Sequence, residues 1–243
     1  MLSWHNAPEL VDECADVTMY FAFAAGDELQ NNSILLLNHF DQADVAPQDA
    51  LFIKVASAFA DVVIQNLLLN MVHNMEGESR AARILDKLAG IIKGTVHVLV
   101  KQTLHKKTNE ELLPLVNFVR ARRLVVQVDG QDTDYVCFPM PLDLADHFAK
   151  IFHHVDQGDV ESQRQPLRDA MLRFSELAHF HFFDEPTQIM HLGFIARKAV
   201  ALGSSTIKSG SRSSITQIFP QLSKQEIIDF VTYFRPMFIE IDT

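Results

Sequence analysis

The run Glu176-Leu-Ala-His179-Phe-His181-Phe-Phe-Asp184-Glu185 gathers imidazoles and carboxylates more densely than any other part of the chain. Glu-x-x-His is the spacing by which one helix of a di-iron bundle offers two ligands. Such a site needs a second Glu-x-x-His, and the sequence has none. On a regular helix, turning about 100° per residue, Glu176 and His179 share the solvent side with Arg168 and Arg173. His181 falls with Ala170, Phe174, Leu177 and Ala178, toward the core. The expectation is a buried, hydrogen-bonded His181 and no metal, with Asp184 and Glu185 as first-turn acids of the next helix.

A second candidate lies in 51–74, apolar almost all round and so expected to be central. Lys54, Asp61 and Gln65 form one thin polar stripe. Asn66, Asn70 and His73 form another, beside Val55 and Phe59. Polar groups inside a central helix need partners. Asn66, Asn70, His73 and His181 are therefore the candidate wall of a ligand pocket.

The third candidate is electrostatic. Residues 80–123 carry ten Lys/Arg against three acids, whereas 1–79 carry one Lys against twelve acids in a chain of net charge −10. Arg83, Lys87, Lys93, His97 and Lys101 fall on one face of a helix, with Gly90, Gly94 and His105 among them. A face of this kind meets an acidic helix of the same fold, a second subunit or partner, or an anion such as nucleic acid. The two glycines on it hint at close approach by something.

Other chemistry is poorly supported. Cys14 sits among Asp12, Glu13 and Asp16, which suppress a thiolate, and Cys137 has no evident base. No nucleophile elbow, phosphate loop, dinucleotide fingerprint or His-Glu-x-x-His occurs. Asp129, Asp132 and Asp134 lack a calcium-loop register and read as turn residues. Asp143, Asp146, His147, Lys150 and His154 form the wet face of an amphipathic helix. The stretch 203–214, rich in Ser with Gly203, Gly210, Lys208 and Arg212, reads as a mobile loop.

Helical spacing dominates the elements that position these residues. Helices are expected over 8–26, 27–40, 47–74, 78–107, 109–123, 142–155, 165–183, 186–204 and 223–234. Pro47 and Pro186 suit first turns, and Ser223-x-x-Glu226 has capping-box spacing. Residues 124–138 break the pattern with two β-rich runs around Asp129-Gly130, a hairpin signal. An isolated hairpin is barely stable, so it should pack on a helix or pair with another copy.

The fold class is thus mostly α: two packed helical halves with one β-hairpin near 124–138. The 243 residues read as a single domain with lobes 1–123 and 142–243. Eighteen Phe against three Tyr and one Trp imply buried packing more than ligand contacts. The N-terminus has no secretory pattern, and the apolar runs 17–25 and 88–100 are too short to span a bilayer. These features point to a cytoplasmic, homodimeric, non-catalytic interaction or regulatory protein that needs no cofactor and no membrane. The alternatives are a helical-core binder or enzyme for a small ligand or metal, and an anion or nucleic-acid binder working through the basic face. Acidity weighs against the nucleic-acid role.

Overall fold

The hairpin expected around Asp129-Gly130 is present as β3 (Arg123–Val128) and β4 (Gln131–Pro139), paired antiparallel from Val128↔Gln131 to Arg123↔Val136. A computed structural model describes residues 4–5, 17–42, 46–73, 80–128 and 131–242; the turn residues themselves, and Cys14, lie outside these. The hairpin does not stand alone. β1 (Trp4–His5) pairs with β3, β2 (Val17–Ala24) pairs with β4, and β5 (Phe238–Asp242) pairs with β2. The result is an antiparallel sheet of order β1-β3-β4-β2-β5 in an otherwise helical protein.

β2 corrects the sequence reading, which placed 17–24 inside a helix. The run Val-Thr-Met-Tyr-Phe-Ala-Phe-Ala is apolar on both faces, so its periodicity is ambiguous. As a strand it sends Phe21 and Phe23 into the main core, and Tyr20 and Ala22 into a smaller cluster with Leu124, Val126 and Cys137. Phe21 lies 4.7 Å from Phe174 and 5.1 Å from Phe234, ring centre to ring centre. Phe138 of β4 packs 5.4 Å away. These contacts tie the sheet to helices from the second half of the chain.

The helices are α1 (Gly26–Phe40), α2 (Asp49–Ile64), α3 (Asn70–His73), α4 (Arg80–Leu104), α5 (Asn109–Ala121), α6 (Leu142–Asp156), α7 (Val160–His179), α8 (Glu185–Gln188), α9 (Phe194–Ile218) and α10 (Lys224–Phe234). Two π-helical segments interrupt this series, Gln65–Leu69 between α2 and α3, and Phe180–Asp184 between α7 and α8. Ser223 and Glu226 form the expected capping box on α10, and Thr108 with Glu111 forms a second on α5.

The charge partition has a structural counterpart. Asp61 of α2 takes both Lys93 (3.1 Å) and His97 (2.9 Å) from α4. Asp49 accepts the Lys106 backbone N–H at 2.8 Å, and Asp41 pairs with Arg120. Part of the basic face therefore meets acids of 1–79. Arg83, Lys87 and Lys101 remain exposed.

The Ser/Gly stretch 203–214 is also corrected: it lies inside α9, not in a loop. Its small residues let α9 press against α4. A Cβ built on Gly203 would come 2.6 Å from Leu99 Cδ1 and 3.2 Å from Thr95 Cγ2, and one on Gly210 would come 3.0 Å from Leu88 Cδ1. Gly90 and Gly94, by contrast, face open space: among the described residues, no atom of another element comes within 4 Å of a Cβ built on either. Two opposite outcomes are expected in thermal or urea unfolding. Gly203→Val should cost about 1–3 kcal/mol by overpacking against α4. Gly90→Ala and Gly94→Ala should each raise stability by up to about 1 kcal/mol, the helix-propensity difference.

Candidate functional site: an apolar cavity with a polar end

α2 departs most from expectation in how it is buried. The run Asp49–Leu69 has a mean hydropathy of 1.6 over its most apolar window, yet only 28% of that window is buried. A helix this apolar normally lies deep in a packed core or in lipid. Much of its surface instead borders a cavity partly open to solvent: Phe59, Val63, Leu67 and Leu68 are all half-buried and all line this volume of about 290 Å³. The opposite walls come from α4 (Ile92, Val96), α7, α9 (Val200, Ile215) and the second π segment (Phe182). An engineered apolar cavity of roughly 150 Å³ stays dry and takes benzene. This one has about twice that volume.

Both π segments contribute to its wall, Leu67 and Leu68 from the first, Phe182 and Phe183 from the second. A π turn holds an extra residue, so side chains beyond it are rotated relative to a regular helix. The helical projection holds for His181, expected on the core side, but fails for His179, which ends α7 before the π turn and is covered on that flank by Ser204 of α9. His179, expected at the solvent side, is 8% exposed, and His181 is 9% exposed.

Each histidine has its own carboxylate. His181 Nδ1 lies 2.8 Å from Glu185 Oε2 and 3.1 Å from Arg122 Nη2. Arg122 also pairs with Glu185 directly. The His181 ring stacks on Phe138 at 5.2 Å. His179 Nε2 lies 3.2 Å from Asp184 Oδ1 and 2.9 Å from Ser204 Oγ, and Lys208 reaches the other Asp184 oxygen at 2.6 Å. Asp184 and Glu185 thus serve the histidines rather than acting only as first-turn acids.

Burial pushes both imidazoles below their ordinary value, with Asp184 and Glu185 opposing it. Burial alone would raise the two carboxyls. Hydrogen bonds from Lys208 and Ser204 to Asp184, and from Arg122 and His181 to Glu185, outweigh it and hold both below the carboxylate range. The histidine shift has a defined sign for stability. The unfolded chain takes up these protons near pH 6.5 while the folded imidazoles still resist them. Stability is therefore unaffected above about pH 6.5 and falls below it, by at most roughly 1.4 kcal/mol per pH unit per histidine. Urea unfolding at pH 7.5 and 5.5 should show this loss, and His179→Gln with His181→Gln should flatten it.

Ser204, His179 and Asp184 have the composition of a hydrolytic triad but not its connectivity. In a triad the serine and the carboxylate engage opposite imidazole nitrogens. Here both engage Nε2, and the Ser204 hydroxyl donates to Asp184 Oδ1 at 2.8 Å. This arrangement gives Ser204 no general base. An open cleft of about 690 Å³ beside the 189–193 connection reaches Asp184 and Ser204 without adding a nucleophile. Cys137 is no substitute, because burial pushes its thiol up to about 12. Among the described residues, no three of His, Cys, Asp or Glu gather as a metal-binding set. Glu176 points to Arg212 instead of joining His179.

The four pocket candidates from the sequence are not assembled around this cavity. The Asn66 side chain bonds the Val62 carbonyl at 2.9 Å and lies 3.5 Å from Asn70, which also accepts from Gln65. Neither asparagine lines the cavity, and the side chain of His73 lies outside the described set. His181 stands one residue behind the wall, through Arg122. Sequence reasoning missed Arg122, the most buried cation described, at 5% exposure. It lay inside the basic segment and looked like another solvated charge. No protein-family model, curated protein or solved structure matches the chain.

Proposed function

We propose that the protein is a non-catalytic binder of a small apolar molecule held between α2, α4, α7, α9 and the sheet. The cavity carries this reading. A concave, mostly apolar pocket a few hundred Å³ in volume is the usual form of a small-molecule site, and apolar walls left facing water cost stability until something covers them. Apolar side chains on several elements stay half-exposed around it, an arrangement that a bound hydrocarbon surface would complete. A sensing or regulatory role fits, since the site offers a ligand volume and no activated nucleophile. The test is a fluorescence titration with N-phenyl-1-naphthylamine, a neutral apolar dye. Saturable binding at one dye per chain supports the reading. Linear, unsaturable partitioning contradicts it.

Self-association as a homodimer is a second reading, favoured by the exposure of Ile195 (82%), Leu202 (71%) and Phe194 (64%) on α9. Native mass spectrometry of wild type and Ile195→Glu/Leu202→Glu tests it: a dimer lost in the variant supports it, and a monomeric wild type removes it. The basic face gives less support to an anion or nucleic-acid role, because Lys93 and His97 already share Asp61.

A further inference from the structure

α4 and α9 lie side by side and antiparallel, with Gly203 against Leu99 and Thr95, and Gly210 against Leu88. Together they carry nine Lys/Arg, five on α4 and four on α9, against Asp86 alone, in a protein of net charge −10. Lys93, Lys208 and Arg212 pair with Asp61, Asp184 and Glu176. Arg83, Lys87, Lys101 and Lys198 are exposed and have no carboxylate partner among the described residues. The same two helices hold five of the nine large apolar side chains exposed among the described residues: Ile91 (44%) and Val98 (54%) on α4, and Phe194, Ile195 and Leu202 on α9. Apolar side chains exposed singly need no explanation, whereas a cluster set among unpaired cations marks a contact surface.

Helical geometry puts both sets on one outer face. At about 100° per residue, Arg83, Lys87, Ile91, Val98 and Lys101 fall within an arc of roughly 80° on α4. Ile195, Lys198 and Leu202 fall within roughly 60° on α9. Leu88, Thr95 and Leu99 mark the side of α4 turned to α9, while Ile92 and Val96 mark the side turned to the cavity. Ile91 and Val98 therefore flank the α4–α9 seam on the outside. Ile195 and Leu202 flank it from α9, on the side opposite the cavity-lining Val200 and Ile207.

The occupant must meet cations and aliphatic chains together. A second copy docked face to face would set the cations of one α4 against those of the other. Nucleic acid would take the cations but leave Ile91, Val98, Ile195 and Leu202 uncovered, since they neither stack on bases nor hydrogen-bond to them. An anionic bilayer surface matches both, with headgroups for the cations and the acyl boundary for the aliphatic chains. The acidic remainder of the protein is no barrier, because exposed charges more than about 10 Å away are largely screened at 0.1 M salt. The shortness of the apolar runs 17–25 and 88–100 bears on spanning a bilayer, not on contact with its surface.

We infer that the outer face of α4 and α9 docks peripherally on anionic phospholipid. Arg83, Lys87, Lys101 and Lys198 meet the headgroup phosphates and carboxylates, and Ile195 and Leu202 enter the acyl boundary.

The test is vesicle flotation of the full chain at about 0.1 M salt, comparing phosphatidylcholine alone with phosphatidylcholine in which about one lipid in three is phosphatidylserine. Wild type should bind the anionic vesicles at least about tenfold more tightly, and lose this preference near about 0.5 M salt. Lys87→Glu/Lys101→Glu should weaken binding at least about tenfold, and Ile195→Ser/Leu202→Ser about fivefold or more at unchanged charge. All four positions are exposed, so both variants should fold; if either does not, the two vesicle compositions decide alone. No preference for anionic vesicles overturns the inference. So does binding that Ile195→Ser/Leu202→Ser leaves unchanged, which is adsorption without insertion. Duplex DNA bound in the absence of vesicle binding gives the face to nucleic acid, and a dimer lost in Ile195→Ser/Leu202→Ser, in a protein that does not float, gives it to a second copy. Either result overturns the inference. Dye titration without lipid tests the cavity reading separately.

Discussion

Val63→Phe should abolish dye binding, by more than about a hundredfold in affinity, while leaving the protein at least as stable as wild type. Val63 sits half-buried on α2 and faces the cavity. A phenyl ring there enters empty volume, so it displaces ligand without displacing protein. The extra apolar area removed from water contributes about 1 kcal/mol of stability. The same kind of enlargement at a filled position behaves oppositely. Ile151 on α6 is 1% exposed within the main core and does not border the cavity. Ile151→Phe should therefore cost about 1–3 kcal/mol and leave dye binding nearly unchanged. Calorimetric unfolding and dye titration of the two variants check both halves. Destabilisation by Val63→Phe comparable to that of Ile151→Phe would show that the cavity is not open volume in solution.

Arg122→Met should be the most destabilising single substitution at the polar end, costing about 3 kcal/mol in urea unfolding at pH 7.5. Breaking a buried ion pair leaves its partner charged and unpaired, at roughly 3–5 kcal/mol. Glu185 keeps 29% exposure, so water recovers part of that loss and the lower end applies. The consequence is testable by a second substitution. Glu185→Gln added to Arg122→Met removes the stranded carboxylate and should restore more than half of the loss. A cost below about 1 kcal/mol for Arg122→Met would place the pair with ordinary surface ion pairs, and the polar end would lose its claim to be a built feature. The Cys137 backbone N–H donates to the Arg122 carbonyl at 3.1 Å, so the backbone at this corner is held independently of the Arg122 side chain.

The amphipathic helices were legible because a hydrophobic stripe at 3.6-residue spacing has one geometric solution. α6 buries Leu144, Phe148, Ile151, Phe152 and Val155 as its sequence dictates. The hairpin was legible from its turn residues. β2 was not, since a run apolar on both faces suits a strand buried on both sides as well as a helix. The stretch 203–214 was misread because Gly and Ser signal mobility in a loop and close approach in a helix, and composition alone does not separate the two. His181 and Glu185 stand at ordinary i,i+4 spacing, whereas the pairing of His179 with Asp184, five residues on, goes with a π turn that no residue pattern announced. The cavity was invisible for a further reason. Periodicity says which side chains avoid water, and it is silent on whether the space they turn toward is filled. Its one trace was α2 itself, too apolar for a helix that ends half-buried.

On the reading proposed above, the volume beside α2 receives a ligand. Methyl-resolved NMR of the Ile, Leu and Val side chains during titration with N-phenyl-1-naphthylamine tests it most directly. Saturable ring-current shifts, at one dye per chain, are expected for Val63, Leu67, Ile92 and Val96, with Leu36 and Ile151 unmoved. Shifts confined to the exposed Ile195 and Leu202, or none that saturate, would contradict it.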